Sequence, residues 1–341
     1  MKKSLTLILA VMLCLVCAMA QAAPFTDSTG RTIDLPDEIT RVAVTGSAAQ
    51  IVTFAVAPDM LVGIASDWDD GSEPYVGQYA DLPVLGQLYG GKGDMNLEEL
   101  MTAAPQVVID AGETKDGVGE DLTALSEQSG IPFVHIGITL DTAPQAFRML
   151  GGLLGREERA EEIAVYCEDV LARVDAIMEQ VGENRARLIY CLGEEGLSVL
   201  AKGSYHAEII DRVSDNVAVV DSPSSRGTGN QIDMEQMLIW NPDYIVFSPD
   251  SADVSADPVW QGVNAAASGR YVKTPSLPYN WMGYPPSVQR YLGMLWLCDF
   301  LYPEQAQLDM YAETARYYDL FYHCDLTREQ YDILTAEAFV Q

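Results

Sequence analysis

Positive charge is what this sequence has least of. Its 341 residues include 20 Lys and Arg against 50 Asp and Glu, and with three His neutral the formal charge is −30. Phosphate neutralisation needs clustered Lys and Arg, which excludes nucleic acid as a partner. Docking on an anionic membrane surface is excluded on the same ground. Metal-ligand spacing is also missing: no C-x2-C occurs after Cys17, and no H-x3-H occurs anywhere. The scattered His135, His206 and His323 do not supply the several ligands that a bare transition-metal ion needs. There is no Gly-x-Ser-x-Gly elbow, no Walker loop and no His-Glu-x-x-His, which weighs against an enzyme. Acid pairs such as Asp69 and Asp70 are commonplace in so acidic a chain and carry no such signal.

What is present is material for packed cores. Hydrophobic residues make up 48%, aromatics 9% and charged residues 21%, unlike a disordered acidic chain. The length suits two domains or one duplicated architecture.

Residues 1–22 read as an export signal. Lys2 and Lys3 precede the apolar run Leu5–Ala18, which is too short to span a bilayer as a mature helix. Ala18-Met19-Ala20 and Ala20-Gln21-Ala22 offer small-x-small cleavage patterns, with cleavage expected after Ala22. Leu13 and Val16 precede Cys14 and Cys17 where a lipoprotein signal needs a small residue, which argues against a lipid anchor. The expected product is therefore exported, with Cys167, Cys191, Cys298 and Cys324 in an oxidising compartment. Cys298 and Cys324 sit on neighbouring helical segments and are the expected disulfide; four buried thiols are the alternative.

The chain carries the same sentence twice. Asn96-Leu-Glu-Glu-Leu-Met-Thr-Ala-Ala-Pro-Gln-Val-Val-Ile-Asp110 aligns without a gap to Asp233-Met-Glu-Gln-Met-Leu-Ile-Trp-Asn-Pro-Asp-Tyr-Ile-Val-Phe247. Asn96 and Asp233 suit helix N-caps, and Glu98 and Glu235 suit first turns. Pro105 and Pro242 stop the helices, and apolar runs at Val107–Ile109 and Tyr244–Phe247 follow as buried parallel strands. Further strands are expected at Arg41–Val44, Leu61–Ile64, Phe133–Ile136, Arg187–Cys191 and Val217–Val220, and a helix near Ala48–Ala57.

Between the halves, apolar residues from Ala160 to Val181 recur at three-and-four spacing, and no Gly or Pro interrupts Arg156 to Val181. The pattern predicts one helix about 38 Å long. The expected fold is α/β: two similar lobes with mainly parallel sheets, joined by one long α-helix, with a ligand cleft between them and limited closing motion. The boundaries are 1–22 for the signal, 23–155 for the N-terminal lobe, 156–182 for the helix and 183–341 for the C-terminal lobe with a helical tail.

This combination resembles the helix-linked solute-binding proteins of ABC importers, over essentially the whole mature chain. The residues that carry the likeness are Phe25–Pro36, similar to the family's opening hairpin, Asn96-Leu-Glu98, Asn241-Pro-Asp243, the linker helix and Tyr302-Pro-Glu304. The resemblance implies a periplasmic, monomeric binding protein without a resident cofactor, which carries an iron–siderophore complex, haem or cobalamin to a permease. A molybdate or tungstate binder is the runner-up, and an extracytoplasmic enzyme the third reading. By motif position, Glu98 and Glu235 would dock on arginines of the permease.

Ligands of open α/β sheets bind beyond the carboxyl ends of the strands. Four loops qualify. Thr45-Gly46-Ser47 precedes a helix whose first N–H groups suit an oxyanion or carbonyl, though an ordinary helix start reads the same. Ser66-Asp67-Trp68-Asp69 lies upstream of Tyr89-Gly90-Gly91-Lys92. Ser222–Asn230 contains Arg226, a donor fork for a carboxylate, catecholate or oxyanion, or a solvated loop arginine. Pro275–Ser287 contains Tyr279, Asn280, Trp281 and Tyr284 before a helix near Ser287–Leu301, and its rings suit a flat chelate. Candidate ligand residues are thus Ser47, Trp68, Tyr89, Arg226, Tyr279, Asn280, Trp281 and Tyr284, with no catalytic and no metal-ligating residue. His135 reads as core, His206 as a cap or packing residue before a ligand, and Arg290 as structural.

Overall fold

A computed structural model of the chain describes residues 24–88, 95–252 and 257–336. The expected signal segment and Tyr89 lie outside the described residues. A hairpin opens the fold: strands β1 (Phe25–Thr26) and β2 (Thr32–Ile33) pair antiparallel. Its turn is held by Asp27, which accepts from the Thr29 amide and from Arg31.

The first lobe is built on a parallel sheet of β3 (Val42–Val44), β4 (Val107–Gly112) and β5 (Phe133–Gly137), in the order β3-β4-β5. Helices Ser47–Val56, Leu97–Ala103, Val118–Ser129 and Ala143–Leu154 cover it. The second lobe carries β6 (Arg187–Leu192), β7 (Ser198–Val199), β8 (Asp215–Asn216), β9 (Asn230–Gln231), β10 (Tyr244–Phe247) and β11 (Tyr271–Lys273). Its order is β11-β10-β6-β7-β9, with β8 also on β6; β7 runs antiparallel to both neighbours. The mainly parallel expectation holds, with an antiparallel edge added.

Two expected strands differ. Leu61–Ile64 forms only single bridges, Val42 to Leu61 and Ile64 to Val84, because no neighbouring segment runs alongside it for longer. In place of Val217–Val220 the ladder takes Asp215–Asn216; beyond it only the Val217 amide still reaches Leu188. Strand length is set by the partner's path as much as by local β-propensity.

The repeat is observed residue for residue. Helices Leu97–Ala103 and Met234–Trp240 are capped by Asn96 and Asp233, whose side chains accept first-turn amides. Both end in a left-handed residue, Ala104 and Asn241, directly before the proline. The likeness reaches further than the sequence indicates. The Arg41 guanidinium donates to the Ala103 and Ala104 carbonyls, and that of Arg187 donates to Trp240 and Asn241. Arg41 directly precedes β3 and Arg187 is the first residue of β6, and each supplies positive charge at the negative end of the helix.

The long helix spans Glu157–Val181 without a break. Ala160, Ile163, Ala164, Cys167, Val170, Val174, Ile177, Met178 and Val181 are buried as the spacing requires, and Leu171 is half-buried. One hydrophobic core runs from the first sheet through this helix to β6, the helix Gln289–Leu301 and the tail helix Met310–Tyr322. The tail helix leaves the second lobe and packs on the first: Phe54 meets Tyr322 at 6.4 Å, and Tyr75 meets Tyr318 at 5.4 Å.

The expected Cys298–Cys324 disulfide is not formed. Cys167, Cys191, Cys298 and Cys324 are all free and buried. Cys298 faces the core from its helix, whereas the Cys324 thiol is turned to the Pro74 carbonyl, 3.7 Å away. Burial pushes these thiols above their ordinary pKa, which leaves them protonated and unreactive. Among the described residues no helix is long and apolar enough to cross a membrane.

Candidate functional site

The loops at the carboxyl ends of β3 and β4 form the first-lobe side of the cleft. After β3, Gly46 starts the helix Ser47–Val56 without a side-chain cap. Its first intrahelical bond is from the Gln50 amide to Gly46, so the first-turn N–H groups stay open to a ligand. The Ser47 hydroxyl lies 3.3 Å from that of Ser66 and 3.4 Å from Gln87 Nε2. After β4, the exposed run Glu113 to Gly117 carries Lys115, whose ammonium makes no ion pair among the described residues.

The second lobe faces this with Tyr205, His206, Arg226, Tyr284 and Arg290. Arg226 is exposed, and its guanidinium has no partner among the described residues. The next residue, Gly227, lies under the Tyr284 ring and beside His206; a Cβ there would be 2.7 Å from the ring and 3.2 Å from His206 Cε1. The His206 ring lies near the backbone of Gly283 and of Ser225, between the aromatic loop and the Arg226 loop. Burial is the main reason its pKa is lowered; Arg290 and then Lys115 push the same way. Lys115 of the first lobe is thus near enough to His206 of the second for its charge to be felt there, as Glu113 is to Tyr205. Arg290 is buried, paired to Glu208 at 2.5 Å, with its guanidinium over the Tyr205 ring.

The predicted site residues separate into two groups. Ser47 is half-buried, Arg226 is exposed, and Tyr284 is 52% exposed. Trp281 is 1% exposed and packs edge-on against Trp296; it fills the core because Gly293 lets the following helix press against its carbonyl. Tyr279 is buried, and its hydroxyl accepts from Gln50 at 2.8 Å. Asn280 is spent within the fold, donating to the Tyr190 hydroxyl and accepting from the Met282 amide. Trp68 is half-buried between Phe54 and Tyr279. The chelate platform expected from this loop is thus partly interior: Trp281 faces the apolar helix Gln289–Leu301, Tyr279 faces Gln50 and Trp68, and only Tyr284 is exposed.

Sequence reasoning missed Lys115 and the pair Asp110–His135. The signal for Lys115 was available: one of few bases, between glycines, directly beyond the strand of the first repeat. Glu98 and Glu235 are exposed on equivalent first turns. Among the described residues no group of three or more His, Cys, Asp or Glu is placed to hold a metal.

The family model for periplasmic binding proteins matches residues 53–277. The chain belongs to the periplasmic binding protein family. Proteins of this family deliver a ligand to an ABC permease. A molybdate-binding protein of Haemophilus influenzae, MolA, is 24% identical over 330 residues, which cover 87% of this chain and 90% of that protein. An ABC transporter solute-binding protein of Sulfurospirillum deleyianum has a similar structure, with a TM-score of 0.83 at 25% identity over 92% of this chain and 99% of the other. A catecholate-siderophore binding protein of Vibrio cholerae, VctP, shares the fold with a TM-score of 0.54 at 17% identity, over 74% and 90% of the two chains.

Proposed function

We propose that this binding protein captures a small oxyanion of the molybdate or tungstate class in the cleft and presents it to an ABC permease, on which Glu98 and Glu235 dock. The observation that carries this reading is charge placement. In a chain of formal charge −30, two cations without an ion pair among the described residues, Lys115 and Arg226, come from opposite lobes to the neighbourhood of His206. The uncapped first turn at Ser47, at the carboxyl end of β3, adds free amide donors on the first lobe. Charge-assisted donors of this kind are the strong ones for an anion. The likeness to a molybdate-binding protein supports the choice.

A metal chelate such as an iron–siderophore complex, haem or cobalamin is the second reading. Tyr284 favours it, since an exposed ring beside Arg226 suits a flat anionic ligand. The burial of Tyr279 and Trp281 reduces the aromatic surface left for one. Calorimetric titration with molybdate, tungstate and a ferric catecholate separates the two. Saturable heat from an oxyanion and none from the chelate is expected. The reverse result, with quenched tyrosine or tryptophan emission, would install the second reading, and silence from all three ligands would reject both.

A further inference from the structure

Position 110 breaks the pattern of the repeat. Its counterpart in the second half is Phe247, a buried core residue of β10, whereas Asp110 puts a carboxylate inside the first sheet, almost wholly buried. Its neighbour on β5 is His135, also buried, with Nδ1 2.6 Å from Asp110 Oδ2. The other carboxylate oxygen accepts from the Thr45 hydroxyl. The far side of the imidazole, Nε2, lies 2.9 Å from the Thr114 hydroxyl. Four side chains thus form one line, Thr45–Asp110–His135–Thr114. Its ends are the residue before Gly46-Ser47 and the residue before Lys115.

A buried ionisable pair is a poor source of net stability, because desolvation offsets most of the attraction and an apolar pair of similar volume would serve a sheet as well. What such a chain supplies is fixed geometry, since each member is satisfied only in one arrangement. The site even makes room for it. Gly137 follows His135 by two residues, and a Cβ there would stand 2.7 Å from the Thr114 hydroxyl oxygen.

We infer that Asp110 and His135 are positioning residues of the anion site: with Thr45 and Thr114 they lock the helix-start loop and the Lys115 loop into one rigid half-site. The inference rests on the oxyanion reading for its ligand, but not for the coupling of the two loops.

Thr114 is exposed, so the test starts there without disturbing the core. In the full-length mature protein, Thr114→Val removes the end of the line, Thr114→Ser keeps the hydroxyl, and Gly137→Ala pushes the hydroxyl away. Two readouts are taken: the molybdate dissociation constant, and the amide chemical shifts of Ser47 and Lys115 without ligand. Thr114→Val and Gly137→Ala are expected to weaken molybdate about tenfold, the scale of one hydrogen bond. Both should also move the Ser47 amide resonance, at the other end of the line. Thr114→Ser should restore both readouts. A Ser47 resonance that stays put in Thr114→Val, or a serine variant no better than the valine one, overturns the inference. The shift readout needs no ligand. A wild-type protein indifferent to molybdate therefore counts against the oxyanion reading alone, and the coupling is still decided by the Ser47 resonance.

Discussion

His323 makes two hydrogen bonds that a single neutral tautomer satisfies. Its Nε2 lies 3.1 Å from the Phe54 carbonyl and its Nδ1 3.3 Å from Arg159 Nη2, so Nε2–H donates and Nδ1 accepts. Protonation would set a second N–H against a guanidinium. Burial, the largest cause, and the Arg159 charge hold its pKa below the ordinary value, while the Phe54 and Ala55 carbonyls partly offset them. The unfolded value is about 6.5. With the folded value below it, this contribution to stability is whole above about pH 6.5 and is lost as pH falls through the folded value. His206 contributes with the same sign. The melting temperature should therefore fall less between pH 7 and pH 5 in His323→Asn than in the wild type. Asparagine tolerates the left-handed backbone at this position. Equal losses by calorimetry would remove His323 from the account. At the cleft, Lys115→Ala and Arg226→Ala should each weaken molybdate by roughly 10- to 100-fold, the scale of a charged hydrogen bond. Lys202→Ala, which breaks an exposed pair with Asp215, is the control and should leave affinity unchanged in the same titration.

Among the elements, the two repeat helices were legible to the residue, because cap, acid, stop and strand are local signals with fixed spacing. The long helix was legible for the same reason. Strand limits at Leu61–Ile64 and Val217–Val220 were not, since they depend on where a partner runs. Nor was the inward face of the loop Pro275–Ser287. That face depends on contacts with other segments, among them a close approach at Trp281: a Cβ at Gly293, within the helix Gln289–Leu301, would stand 2.2 Å from the Trp281 carbonyl oxygen. Gly293→Ala should cost about 1–3 kcal/mol by overpacking, read from urea unfolding. A wild-type midpoint would mean that the loop, and Trp281 with it, is not pinned by this helix.

In the whole molecule the lobes share one core and are strapped together. Arg212 of the second lobe pairs with Asp141 of the first and with Asp175 on the long helix, and the tail helix returns to the first lobe. Large hinge motion would break these contacts, so closure is restricted to small displacements around the cleft. The outer faces preserve the duplication. Glu98 is followed three residues later by exposed Met101, and Glu235 by exposed Leu238 and then Ile239. Each face thus sets an exposed acid beside exposed apolar side chains. Single exposed ion pairs contribute about 0.2–1 kcal/mol. Glu98→Arg or Glu235→Arg alone should therefore reduce stimulation of the permease ATPase only in part, and the two together should abolish it at unchanged ligand affinity. Full stimulation by the double variant would exclude this face as the contact.

The sequence by itself determined the duplication, the stiff connection between the halves and the acid at each helix start. All of these rest on contacts within a few residues along the chain. Only the tertiary structure decided which polar groups meet. It brought Lys115 and Arg226 to the neighbourhood of His206, took Tyr279 and Trp281 into the core, left the four cysteines unpaired and set Asp110 against His135. Each of these depends on the relative placement of segments far apart in sequence, and burial and charge pairing act only once that placement exists.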